Sequence, residues 1–390
     1  MPLVDLKDML RHARAKGFAV GAYDAVDSNF VAAIIEGAEA ARAPVIVSFA
    51  ESHFAHYDFP ALVAAAESHA KRARVPVALF LDHGASRESA VEAIRLGVNG
   101  VMVDASHLPF DENVAATRSV VGMAHGVGVP VEGELGYVPG VEGVDAERHP
   151  GEIRLTSPRE AALYVDATGV DFLAVSVGTV HGRLRGEPRL DLDRLAAIAV
   201  TVGVPLVIHG GTGLTDEQLR SLVARGVAKI NYYTALSDLA AAAASNALAD
   251  VETGYAAAID AVRAAVADEV ARTCEVFGAA GRADETLAVC RSWRNVEHVI
   301  LFNWSDEVGD RAAEFEAEGR ERLSRLPGVR EATVGAAIHA DAPYQRAWLI
   351  RLASAAAEAA YMKDPAHLDY ANRVFRPHAA DRIKGDFLRD

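Results

Sequence analysis

Three histidines, each followed by glycine, close short apolar runs: His83 in Asp82-His83-Gly84, His181 in His181-Gly182 and His209 in His209-Gly210-Gly211. Asp82 directly precedes the first, and Asp104, Glu132 and Glu134 end two further runs. Three imidazole nitrogens with one position left open for substrate are the ingredients of a catalytic zinc site. An isolated histidine is more often a core or surface residue, and that reading serves for His53, His56, His69, His107, His125 and His149. The glycines add a second ingredient. Gly182, Gly210, Gly211 and Gly213 let the backbone come close to a ligand, so that amide N–H groups can hold phosphate oxygens, while Thr212 and Thr234 offer hydroxyls. Lys229 is the one lysine inside such a run. It keeps Schiff-base chemistry open as an alternative, but that reading leaves the three histidines unexplained.

Elements that bring distant residues together must lie beneath this pattern. Val- and Ile-rich runs at 18–23, 44–49, 77–83, 100–106, 130–135, 171–177, 205–210 and 227–233 are each followed by an Ala-rich stretch of helical spacing. Such stretches include 30–42, 86–96 and 216–225. An open doubly wound sheet shows the same alternation, but eight repeats favour a closed parallel (β/α)8 barrel, a TIM barrel of the α/β class. In a barrel all the polar strand ends open on one face, where the loops after the strands build a site. The long loop 136–152, which carries Glu142, Asp145 and His149, reads as a lid. Helices are predicted over 234–250 and 255–277, and the first domain is expected to span 1–284, with a linker at 285–294.

The texture changes near Trp293. Strands are expected at 297–304, 328–337, 344–353 and 382–387, and helices at 310–326, 356–363 and through Val374. Residues 295–390 therefore read as a small α+β domain of ordinary size, with one sheet face in need of a partner.

Composition narrows the classes of function. Of the 390 residues 51% are apolar and 24% charged, the make-up of an ordinary globular protein, so function must come from sites. A formal charge of −15 argues against a nucleic acid or an anionic membrane as partner, because both require clustered Lys and Arg. Cys274 and Cys290 form neither a disulfide framework nor a close metal-binding pair. With no signal-like N-terminus and no apolar run of about 20 residues, a cytoplasmic location is expected.

The stretches LFLDHG, GVMVDASHLPF, VEGELG, AVSVGTVHG, VIHGGTG and KIN, spaced in order through residues 1–284, resemble the class II fructose-bisphosphate and tagatose-bisphosphate aldolases. The resemblance implies a zinc ion on His83, His181 and His209 that polarises the ketone of a dihydroxyacetone-phosphate unit and stabilises its enediolate. It also implies Asp82 as acid and base at the substrate hydroxyl and Glu142 as carrier of the carbon-bound proton. Asn231 would hydrogen-bond the enediolate, and Asp104 and Glu134 would form an alternative metal site. Gly182, Gly210, Gly211, Thr212 and Thr234 would line the site for the phosphate and a monovalent cation. The implied partners are a phosphorylated ketose, or dihydroxyacetone phosphate plus an aldehyde, and the implied assembly is a homodimer or larger homo-oligomer. The substrate end departs from the family pattern: Asp24 stands where asparagine is usual, Ala50 where serine is usual, and Tyr233 where a small or acidic residue is common. A substrate outside the glycolytic pair is compatible with these changes.

Residues 295–388 resemble the stress-responsive dimeric α/β-barrel (Dabb) family, a ferredoxin-like domain, through Glu297-His-Val-Ile-Leu-Phe302, Leu326-Pro-Gly-Val329 and Asp364-Pro-Ala-His367. A few members of that family are cyclases that use a histidine and a tyrosine. This makes His298, Tyr361 and His367 candidates and an aldolase-cyclase fusion an alternative; a module that mainly dimerises is the plainer expectation.

Overall fold

The computed structural model describes residues 2–138, 154–182, 189–249 and 254–389. Eight parallel strands close into a barrel in chain order: β1 (Val20–Asp24), β2 (Val45–Ala50), β3 (Val77–Gly84), β4 (Gly100–Val103), β5 (Val131–Leu135), β6 (Phe172–Val175), β7 (Leu206–Ile208) and β8 (Val227–Asn231). β8 pairs back onto β1, with Ala22 opposite Asn231. The strands are buried almost throughout, so they read as continuous apolar runs and not as alternating ones. Helices between them begin at side-chain caps, such as Asp27 before Ser28–Ala41 and the Thr215/Gln218 capping box before Asp216–Val223.

β3 is the irregular strand. Its pairing with β4 slips between Leu81 and Gly84, and His83 takes a φ of 48°, left-handed backbone that residues other than glycine seldom adopt. Successive strand residues normally face opposite sides, and a bulge re-aims them. Here it turns Asp82 and His83 toward the same space, with Oδ2 of Asp82 3.9 Å from Nε2 of His83. This backbone strain lies within the candidate site.

Chain contacts divide the molecule into two compact units, the barrel through Ser292 and a second unit from Trp293 on that also takes in 91–97 and 122–129. Residues 285–294, expected as a linker, begin within a helix, Ala283–Val289, and cross from the first unit, which ends at Ser292, into the second, which starts at Trp293. The Arg291 carbonyl accepts from the Asp5 amide, and its guanidinium pairs with Asp5 and Asp8. The polar texture of the segment reflects this surface pairing.

The second unit is an antiparallel sheet of β9 (Val296–Trp304), β10 (Val329–Ala336), β11 (Arg346–Leu352) and β12 (Ala379–Leu388), in the order β10-β11-β9-β12. Helices Ala312–Leu323, Ala355–Tyr361 and Pro365–Tyr370 accompany it. β12 is longer than the short strand expected at 382–387. Its alternation also runs backwards: Arg382, Lys384 and Asp386 stand in register with the inward residues Phe302, Ile300 and His298 of β9, and Ile383 and Phe387 take the other face, all five being exposed.

Candidate active site

Two neighbouring βα loops bring His181 and His209 together by close approach of their backbones. Gly210 sits at φ 70°, and a Cβ there would lie 2.1 Å from the Val180 carbonyl oxygen, so only glycine fits. Nδ1 of His209 is then 2.9 Å from Nε2 of His83 and 3.4 Å from Nε2 of His181. A tetrahedral ion with Zn–N bonds of about 2.0–2.1 Å holds its nitrogens about 3.3 Å apart, close to this spacing.

The opposite nitrogen of every ring is engaged. Nδ1 of His83 donates to Asp104 Oδ2 at 2.8 Å, Nδ1 of His181 to the Val138 carbonyl at 3.1 Å, and Nε2 of His209 to Glu132 Oε1 at 2.9 Å. With the ring protons on those three nitrogens, the three facing inward present lone pairs to one another once His83 is in its neutral form. Three acceptors at such distances repel, and a cation between them relieves the repulsion. The donor set therefore fits a divalent ion.

Electrostatics point the same way for two of the three rings, while an ion on His83 must displace a proton. Burial, with the charge on His83 and His209, pulls His181 down to about 3, and burial followed by His83 holds His209 well below the usual range. Neutral imidazole is the form that ligates metal. At His83 burial is outweighed by the charge of Asp82 and the bond to Asp104, and its pKa rises. Burial also opposes the charge on Asp82, but His83, His209 and Lys229 together keep it a carboxylate below its ordinary pKa.

Asp82 is almost fully buried. Its Oδ1 accepts from Asn231 Nδ2 at 2.8 Å, while Oδ2 has no hydrogen-bond partner among the described residues. An ionised oxygen so placed is ready to take a proton from a ligand. Asn231 thus orients Asp82, a contact the sequence did not reveal, and its own Oδ1 is left unpaired.

Residues 4–282 match the model of class II fructose-bisphosphate aldolases, and residues 296–388 match that of the stress responsive A/B barrel domain. The chain belongs to the class II fructose-bisphosphate aldolase family. It is accordingly an aldolase, a carbon–carbon lyase. A fructose-bisphosphate aldolase of Staphylococcus aureus is 43% identical over 237 residues, which are 60% of this chain and 82% of that one. Among solved structures, the YdjI aldolase of Escherichia coli K12 superposes with a TM-score of 0.66 at 32% identity, covering 72% of this chain and 99% of the other. The aldolase of Campylobacter jejuni, at 21% identity and a TM-score of 0.59, shares the fold.

In this member of the family, Asp104 and Glu134 lie beside His83 as a second donor group, but they differ in charge. Asp104 also accepts from the Ser106 amide and hydroxyl, and these bonds with that to His83 overcome burial and hold it well below the carboxylate range. Burial, then the charge of Asp104, pushes Glu134 up to about 8. A metal on this pair must first displace a proton from Glu134.

Lys229 does not offer a free amine. Its side chain is fully buried, 2.8 Å from Glu132 Oε2 and over the Phe80 ring at 4.0 Å. Glu132, a residue without an assigned role in the sequence reading, joins Lys229 to His209. The glycine cradle needs a similar revision: the Gly211 amide, expected to face phosphate, donates to the Asn231 carbonyl at 3.2 Å. Gly211 serves through its missing side chain, since a Cβ would fall 2.9 Å from that same carbonyl. Helix Thr234–Leu248 starts beside it with no side-chain cap at Tyr233, and the hydroxyl of Thr212 takes up the Ala235 amide at 3.2 Å. Thr234 is buried, and Gly182 adopts φ 80° directly after His181.

At the substrate end, Asp24 is buried and the Tyr233 ring packs against that of His53, centroids 4.7 Å apart and planes tilted by 47°. Tyr57 went unnoticed because no motif surrounds it. Its buried hydroxyl lacks a partner among the described residues, and burial followed by the fields of Asp24, Tyr233 and Asp82 pushes its pKa well up, so it stays a neutral donor. Glu142, with residues 139–152 of the lid expected at 136–152, lies outside the described residues.

Proposed function

We propose that the barrel is a zinc-dependent aldolase acting reversibly on a phosphorylated ketose, with the metal on His83, His181 and His209. The observation that carries this reading is the trio of inward-facing ring nitrogens whose opposite nitrogens are all bound to acceptors. When bound, a divalent ion supplies Lewis-acid stabilisation of the negative charge that develops on the ketone-derived fragment. The residues do the rest. Asp82 Oδ2 accepts the hydroxyl proton of the carbon that becomes the aldehyde and returns it in the condensation direction, while Asn231 holds the other oxygen. The N-terminus of helix Thr234–Leu248, close to Thr212, and the left-handed backbone at Gly182 suit the substrate phosphate, a neutral arrangement on an acidic protein. Asp24, Tyr57 and Tyr233 would shape the aldehyde end, and Glu142 would carry the carbon-bound proton.

Chelation should reduce ketose-bisphosphate cleavage to background, and stoichiometric zinc should restore it, with metal content following activity. A metal-free, chelator-insensitive enzyme that borohydride inactivates in the presence of substrate would overturn the reading.

The assembly proposed is a homodimer formed through the second unit. Leu349, Ile383 and Phe387 are exposed on the sheet face that also carries Val299 and Leu301. Apolar side chains gathered on one face mark an interface. Light scattering should give a dimer for the full chain and a smaller species for Ile383→Asp/Phe387→Asp; an unchanged mass would remove this face from the assembly. Among the described residues no helix is long and apolar enough to cross a membrane. The acidic charge and two unpaired, buried cysteines support the cytoplasmic placement, which cell fractionation would test.

A further inference from the structure

The reversed alternation of β12 leaves the inner side of its sheet lined by charge, and a cavity of about 440 Å³ opens there, within the size range of small-molecule pockets. Its wall divides by chemistry. Ile300, Met362, Ala371 and Phe375 form an apolar side, and Arg376, Arg382 and Lys384 a cationic one, with His298 and His367 beside them. The acid nearest to hand is taken: Asp386 Oδ1 lies 2.5 Å from His298 Nδ1. Arg376 bonds only the neutral Asn372 amide, and among the described residues Arg382 and Lys384 have no ion pair. Three cations therefore face one cavity with no direct ion pair among the described residues, on a protein whose overall charge is strongly negative.

The polar groups behind them are built in. His298 is 2% and His367 6% exposed, His367 stacks on the buried Tyr361 ring at 4.1 Å, and its Nδ1 has no hydrogen-bond partner among the described residues. Burial, with the charges of His298 and Arg376, holds His367 near 4, so at neutral pH it adds no charge and can give or take a hydrogen bond. Charge gathered on one side and apolar surface on the other is the complement of an amphipathic anion. Such a molecule places its head on β12 and its body on Met362 and Phe375.

We propose that this cavity binds a small organic phosphate monoester, a dianion with an apolar body, at a site separate from the barrel centre. Two guanidinium groups and an ammonium suit the three oxygens and double charge of a phosphate better than a neutral group or a single charge. The proposal does not depend on the barrel being a zinc enzyme.

Calorimetric titration of the full, metal-loaded chain with phenyl phosphate tests it, with variants of the second unit separating this site from the barrel. Saturable binding of one equivalent per chain is expected, weakening as salt rises. Arg382→Ala/Lys384→Ala should lower the affinity at least tenfold, and Met362→Trp, which fills the apolar side, should do the same without changing charge. Melting curves confirm that each variant is folded. Phenol, which lacks the phosphate, should bind at least tenfold more weakly. Equal binding of phenol, affinity unchanged in both variants, or no saturable phenyl phosphate binding would each overturn the proposal.

Discussion

Asp82→Ala should keep its zinc and lose turnover. The substitution leaves the three ring nitrogens and the groups holding their far sides in place, so metal content by elemental analysis should match the parent. What disappears is an ionised oxygen in the centre that has no hydrogen-bond partner among the described residues. A positioned acid–base group is worth about 10²–10⁴ in rate, which corresponds to about 3–5 kcal/mol of barrier. The fall should appear in kcat, with KM changing little, since the proton moves in the chemical step and not in binding. Asp82→Asn sharpens the test. It keeps the shape and an oxygen to accept from Asn231 but cannot take a proton, and it should fall nearly as far as the alanine variant. Retained turnover in either, or loss of metal along with activity, would refute the role assigned to Asp82.

How much of this was readable from the sequence depends on whether a feature is local. Strand ends and histidine-glycine steps are local, and the barrel needs only eight repeats of one pattern, so the fold and the three histidines were legible. The side-by-side placement of Asp82 and His83 was half legible: the residues are adjacent, but a regular strand would point them apart, and the bulge with its left-handed His83 is a tertiary outcome. Asn231 is far from Asp82 in the chain and meets it only because β8 closes the barrel onto β1, so that the two side chains reach each other across its interior, hence its role in holding the carboxylate could not be read from spacing. The Gly211 amide failed as a phosphate donor for a related reason. A glycine-rich motif reports an open backbone, but which carbonyl claims each N–H is settled by the neighbouring strand. In the second unit, the Arg-Ile-Lys-Gly-Asp-Phe alternation was visible, while its inward and outward sides were not, because a strand pattern carries no sign until the sheet is formed.

Lys229→Met should weaken both the barrel and its hold on the metal. Glu132 is completely buried between two partners, the Lys229 ammonium at 2.8 Å and His209 Nε2 at 2.9 Å. Removing the lysine strands a carboxylate in the interior, a change that typically costs about 3–5 kcal/mol, or a fall in Tm on the order of 10 °C for a domain of this size. Burial already raises the pKa of Glu132, so the carboxylate escapes part of the penalty by taking up a proton. Protonation carries its own consequence, since a neutral carboxyl is a poorer acceptor for His209. The imidazole then loses the partner that fixes which nitrogen faces the metal, and loosening of this kind lowers metal affinity about 10–100-fold. Calorimetry and a competitive zinc titration would read the two effects separately. Lys229→Met/Glu132→Gln tests the chain of cause: an amide oxygen still accepts from His209 and no buried charge remains, so stability and metal affinity should both recover in part. A Lys229 that worked as a Schiff-base nucleophile would behave otherwise, giving a single variant that is stable and zinc-replete but inactive. That combination would return the chemistry to the lysine and leave the histidines as structure.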